Sequence, residues 1–329
     1  MHWTPDEISG ISDKSYEQWK DHVLAWLPKK IVDMHVHSPL ALYKRPRRTF
    51  SEGLIEIYYN YRPSIFPKNI EQVLRGKDVE TVRFPPPYEE ANPARVNKIL
   101  VEQRLPCMLL DDDIGSMEPL LADNVKGIKV HHKIMGNGRR FAELVTKEKM
   151  EWLERHGLCM LIETPNPIRD ADDIVRTASD YNINIILPHL AFNHTGFYMT
   201  TKSFVSSFKS HKKQYDALKA FSSQENIYLD IAMKVDFDLM KTAVEILGED
   251  RIMYGSDYPF CFTPKIRDKP MDKASVFGNI IDIVVRGRDS LLYKNLYMLI
   301  WVLERVCEAT GADKKKIMRT NAETAIMRR

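Results

Sequence analysis

A chain of 329 residues, 44% hydrophobic and 28% charged, has the composition of a globular protein with one large domain or two ordinary ones. Its net charge of +3 and its short, separated basic runs at 44–48 and 314–316 exclude the concentrated basic face of a nucleic-acid binder. No apolar stretch approaches the roughly 20 residues of a membrane helix, and the opening MHWTPDEISG is acidic and polar, unlike a signal peptide, so a cytoplasmic protein is expected.

In chain order, a helix is expected around 15–27, closing an N-terminal helical extension of residues 1–29. Eight short apolar runs with turn chemistry at their ends then read as strands: 30–37 (KIVDMHVH), 78–84 (DVETVRF), 105–110, 126–131, 158–164, 183–189, 226–231 and 251–257. Between them, 94–103, 147–156 and 170–181 carry apolar residues at helical spacings of three and four. Residues 38–77 show no clear period. This βα alternation predicts an α/β fold, a (β/α)8 TIM barrel over residues 30–329 with long loops at its carboxyl face. The long stretches 191–223 and 258–294 are expected to roof the pocket or to form a subunit contact, as in a homodimer, and 296–306 to pack the outer helix ring. Four cysteines, Cys107, Cys159, Cys261 and Cys307, form no CxxC pair, which argues for buried thiols rather than disulfides or a thiolate zinc site.

Barrel chemistry sits at the carboxyl ends of the strands, so the polar residues closing each run carry the functional signal. In the first strand, alternation would place Asp33, His35 and His37 on one face and Val32, Met34 and Val36 on the other. The fourth run closes on Lys129 and His131, the fifth on Glu163, the sixth on His189 and the eighth on Asp257. Charged groups seldom end buried strands without a partner, and a metal ion would satisfy several of these at once.

The DxHxH of residues 33–37, GIKVHH of 127–132, ILPHLA around His189 and GSDYP of 255–259 resemble the metal-dependent amidohydrolase superfamily. Within it the chain is most similar to the amidohydrolase-related branch that includes aminocarboxymuconate semialdehyde decarboxylase, hydroxybenzoate decarboxylases and lactone hydrolases. The terminal KIMRTNAETAI, 316–326, resembles the helix that closes that fold. The resemblance implies one divalent metal ion, most simply Zn, with Mn or Fe as alternatives. His35, His37, Glu163 and Asp257 would be its ligands, and Asp257 and His189 the catalytic groups. That branch usually ends its fifth strand in a histidine, so Glu163 is a departure, read as a substitute ligand. Lys129 and His131 are expected to contact substrate; His194 in FNHTG and Arg47 in YKRPRR are further substrate-binding candidates, Arg47 because a guanidinium suits a carboxylate.

The expected reaction is hydrolysis of an amide, lactone or ester-like bond in a small, carboxylate-bearing substrate by metal-activated water. Two rivals stand beside it. A non-oxidative decarboxylase of a hydroxyaryl or unsaturated acid would add an aromatic clamp, with Tyr198, Phe192 or Phe260 as candidates. A non-catalytic binding protein on a degenerate barrel would need no metal. The expected partner is a small molecule, with no nucleic acid and no membrane.

Overall fold

A computed structural model describes residues 13–38, 70–85, 92–131, 139–164, 166–191, 213–258, 261 and 294–326. Eight parallel strands follow one another around a single sheet in sequence order. They are β1 (Lys30–His37), β2 (Asp78–Phe84), β3 (Cys107–Leu110), β4 (Val125–His131), β5 (Cys159–Glu163), β6 (Ile185–Leu187), β7 (Ile227–Asp230) and β8 (Ile252–Met253). The last strand meets the first through backbone bonds made just beyond β8: Met34 N to Tyr254 O, Asp257 N to His35 O and His37 N to Tyr258 O. The result is the expected TIM barrel.

The longer helices are α1 (Asp13–Trp26), α2 (Pro93–Glu102), α3 (Lys147–His156), α4 (Ala171–Asp180), α5 (residues 213–222), α6 (Phe237–Leu247), α7 (Lys294–Thr310) and α8 (Asn321–Ile326). Their limits are written in the sequence. Asn92 and Thr146 cap α2 and α3 by accepting bonds from Arg95 N and Lys149 N, Pro93 opens α2, and Gly157 ends α3 at a left-handed φ of 58°. Among the described residues, no helix is long and apolar enough to cross a membrane.

Two apolar layers hold the barrel. The outer one packs strand residues such as Ile128, Val130, Ile162 and Leu229 against the helices, and Tyr16, Trp19, Val23 and Leu27 of α1 join it. Tyr16 and Trp19 sit edge-on to Tyr297 of α7, each with ring centroids 6.4 Å apart. The 296–306 stretch lies in this layer, as expected. The inner layer gathers Val32, Met34, Val82, Phe84, Met108, Cys159, Leu161, Ile186, Tyr228 and Met253, together with Ala322, Ala325 and Ile326 of α8. Helix α8 therefore plugs the amino end of the barrel. Asn321 donates to the carbonyls of Glu249 and Ile252, at 2.6 and 2.7 Å, and Asn184 donates to Ala325 O at 2.9 Å. With that end filled, chemistry is confined to the other.

Candidate metal centre

The first strand does not alternate cleanly. Its pairing with β2 slips between Asp33 and Val36, where three steps along β1 span two along β2, from Thr81 to Arg83. Such a bulge adds a residue and re-aims the side chains after it. Val32 and Met34 thus lie in the inner layer, Val36 in the outer one, and His35 follows Met34 inward. The expected split, with Asp33 beside the histidines, is corrected by this bulge. Asp33 instead accepts bonds from Ser256 N at 2.8 Å and His35 N at 3.2 Å, tying β1 to the segment after β8. Burial pushes its carboxyl up to about 7, against the lowering effect of those bonds.

His35 and His37 meet Asp257 at the carboxyl end. Asp257 Oδ1 lies 3.3 Å from His35 Nε2 and 3.0 Å from His37 Nε2, and all three side chains are buried. Gly255 permits the approach, since a Cβ there would lie 2.7 Å from that of His35. Asp257 itself holds a left-handed φ of 60°. His35 Nδ1 donates to Asp230 Oδ2 at 2.7 Å, which fixes its tautomer and turns Nε2 toward Asp257.

A divalent ion fits this trio. Two neutral imidazole nitrogens and a carboxylate oxygen match a borderline cation, and ligand atoms about 2.0–2.1 Å from one tetrahedral ion lie about 3.3 Å apart. The three donors lie within 4.8 Å of one another, the one such group among the described residues. A carboxylate behind a ligating histidine is the usual outer support of such a site.

His189 stands beside the trio, its ring centroid 4.8 Å from that of His35. Its backbone N donates to Asp230 Oδ1 at 2.9 Å, and its Nδ1 donates to Ala232 O at 2.9 Å. His189, Leu190 and Ala191 all hold left-handed φ angles between 56 and 62°, and Met233, next to the Ala232 that accepts from His189, holds 57°. Strained backbone concentrated at one end of a barrel is what a functional site stores.

Glu163 is not gathered with the trio. Its Oε2 lies 2.7 Å from His131 Nε2 and 3.9 Å from Lys129 Nζ, all three side chains being buried. Burial works to raise the Glu163 carboxyl, but His131, Lys129 and His189 hold it well below its ordinary value. The Lys129 ammonium lies 4.8 Å over the Phe84 ring, whose edge meets the rings of His35 and His37. Burial pushes Lys129 down, opposed by Glu163, Asp230 and Asp257. A cavity of about 10 Å³, room for about one water, lies beside Glu163, Thr164 and His189.

The structure thus brings His35, His37, Asp257 and His189 together, with Lys129, His131 and Glu163 as an adjoining cluster. Arg47 and His194 lie outside the described residues, as do Tyr198, Phe192 and Phe260. Sequence reasoning missed Asp230 and Lys234. Asp230 ends β7 as the other residues end their strands, and an aspartate inside the apolar NIYLDIA was signal enough. Lys234 follows in the next turn, half-buried, its ammonium pushed down to about 8 by burial against the pull of Asp236, Glu163 and Asp230.

Comparison with known proteins agrees with this geometry. No curated protein sequence matches the chain. A structure of an amidohydrolase from Burkholderia multivorans is similar, with a TM-score of 0.58 at 11% identity over 90% of this chain and 98% of that one. A second structure of that protein, with bound zinc, gives 0.56 at 11% identity over the same shares. A TIM-barrel protein from Bordetella bronchiseptica gives 0.53 at 12% identity over 90% of this chain and 98% of that one. These likenesses speak for the fold; the family model described as amidohydrolase goes further, matching residues 116–325, and the chain belongs to the amidohydrolase family.

Proposed function

We propose that the protein is a metal-dependent hydrolase that cleaves an amide, lactone or ester-like bond in a small, carboxylate-bearing molecule. The observation that carries this reading is the convergence of His35 Nε2, His37 Nε2 and Asp257 Oδ1, buried and within 4.8 Å of one another, with Asp230 fixing the orientation of His35. His35, His37 and Asp257 would hold one divalent ion, Zn in the simplest case. When bound, such an ion supplies Lewis acidity and lowers the pKa of water from 15.7 to about 7.

Asp257, at the mouth of the barrel, takes the proton of the attacking water and returns it to the leaving group. His189 faces the same space. With Nδ1–H committed to Ala232 O, its ring can donate a second bond through Nε2 only as the imidazolium, whose charge the Asp230 carboxylate beside its backbone N would balance. In that form it stabilises a developing oxyanion. Lys129 and Lys234 supply positive charge around the centre, which suits an anionic substrate; Arg47 and His194 remain proposed contacts.

The test is metal content by plasma mass spectrometry. Wild-type protein reconstituted with Zn, Mn or Fe and then desalted is expected to retain one equivalent, and His37→Ala to retain far less. Chelation should abolish turnover of a lactone or amide panel, and re-addition should restore it. A wild type that holds no stoichiometric metal would overturn the proposal.

A further inference from the structure

The fifth-strand carboxylate stands where it could serve the metal or its own neighbours, and the geometry favours the neighbours. His131 and Glu163 are register partners across β4 and β5, so the 2.7 Å contact between them is built into the sheet. Lys129, two residues earlier on β4, reaches the same Glu163 oxygen at 3.9 Å, and its side chain is fully buried. Glu163 thus lies within ion-pair distance of both Lys129 and His131 through one oxygen. Turning it to a metal would draw the carboxylate 3.9 Å from Lys129 away, leaving this buried ammonium only the pull of Asp230 and Asp257 beside a divalent cation, which adds like-charge repulsion to the cost of a buried charge.

We infer that Glu163 is the counter-ion of His131 and Lys129 and not a metal ligand, so that the metal centre has three protein ligands, His35, His37 and Asp257. The inference rests on the metal-binding reading above. It makes Glu163 a positioning residue that keeps two cations in place behind the reacting centre. Three side-chain ligands also leave coordination positions for water and substrate, the arrangement that separates catalytic zinc sites from structural ones.

The decisive comparison is zinc stoichiometry and affinity, by competition with a chromophoric chelator, in wild type, His37→Ala and Glu163→Gln. We expect Glu163→Gln to match the wild type and His37→Ala to lose zinc. With selective 15N-histidine labelling at neutral pH, His131 should read as imidazolium in the wild type and as neutral imidazole in Glu163→Gln, a change that mere loosening of the fold would not produce. If Glu163→Gln fails to fold because Lys129 is stranded, the double variant Lys129→Met/Glu163→Gln removes both charges and should bind zinc as the wild type does. A folded Glu163→Gln or double variant with affinity lowered by about tenfold or more would overturn the assignment of Glu163 alone. A wild type without zinc would overturn the metal reading on which it rests.

Discussion

Asp230 ties three parts of the centre together. One oxygen accepts from His35 Nδ1, and the other accepts from the backbone N of His189 at 2.9 Å and of Ala232 at 3.0 Å. It thereby orients His35 and fixes the turn that presents His189. Burial raises its carboxyl, while His189 and Lys129 lower it. Asp230→Asn keeps the shape but sets an amide N–H₂ or a weaker acceptor against His35 Nδ1. Metal affinity should fall by about 10–100-fold, as for other outer partners of ligating histidines, with circular dichroism unchanged. Competition with a chelator reads the first and far-UV spectra the second; full-strength binding in the variant would deny Asp230 this role.

At the scale of elements, the strands nearest the chemistry were the most legible. KIVDMHVH and DVETVRF are β1 and β2 residue for residue, because closely spaced β-branched and aromatic residues interleaved with polar ones suit a strand. Their exact facing was not legible, since the bulge after Asp33 arises from pairing with β2 and from the bonds that Asp33 makes to Ser256. The sixth and eighth runs were read too long for a related reason. Pro188 and the left-handed residues 189–191 stop β6 at Leu187, and beyond Met253 the chain bonds to β1 and to Ile317 O rather than extending a strand with β7. Helix α8 depends on Asn321 in the same way. Asn321→Ala would strip donors from two carbonyls at the barrel floor, one of them buried, and should cost about 1–3 kcal/mol, read as a lower midpoint in urea at constant slope.

Across the whole molecule, ionisable groups are buried mainly at one end, where they serve chemistry at the expense of stability. Lys234 shows this cost in a measurable form. Its ordinary value of 10.5 is lowered to about 8 in the folded chain, so the folded protein gives up this proton more readily than the unfolded one. The penalty is complete below about pH 8, fades as pH rises between the two values, and is absent above 10.5. Lys234→Met should therefore stabilise the protein at pH 7, by on the order of 1 kcal/mol once partial exposure is allowed for. The gain should disappear toward pH 10.5, and a thermal-melt series across that range would show it; an equal gain at both ends would point to packing instead.

The floor of the barrel also sets the order in which the protein can be made. Residues 316–326 complete the inner layer and bond to the residues around β8, so a nascent chain that lacks them has a barrel with an open floor. At about 5–20 residues per second, about 15–60 s separate the synthesis of β1 from that of α8, during which parallel strands with unpaired edges wait for their last partner. Helices and βα units can form as they emerge, but the sealing step waits until all eight strands have been made. Chaperone protection in that interval, more than the intrinsic folding speed of the finished chain, would then govern how much active protein a cell obtains.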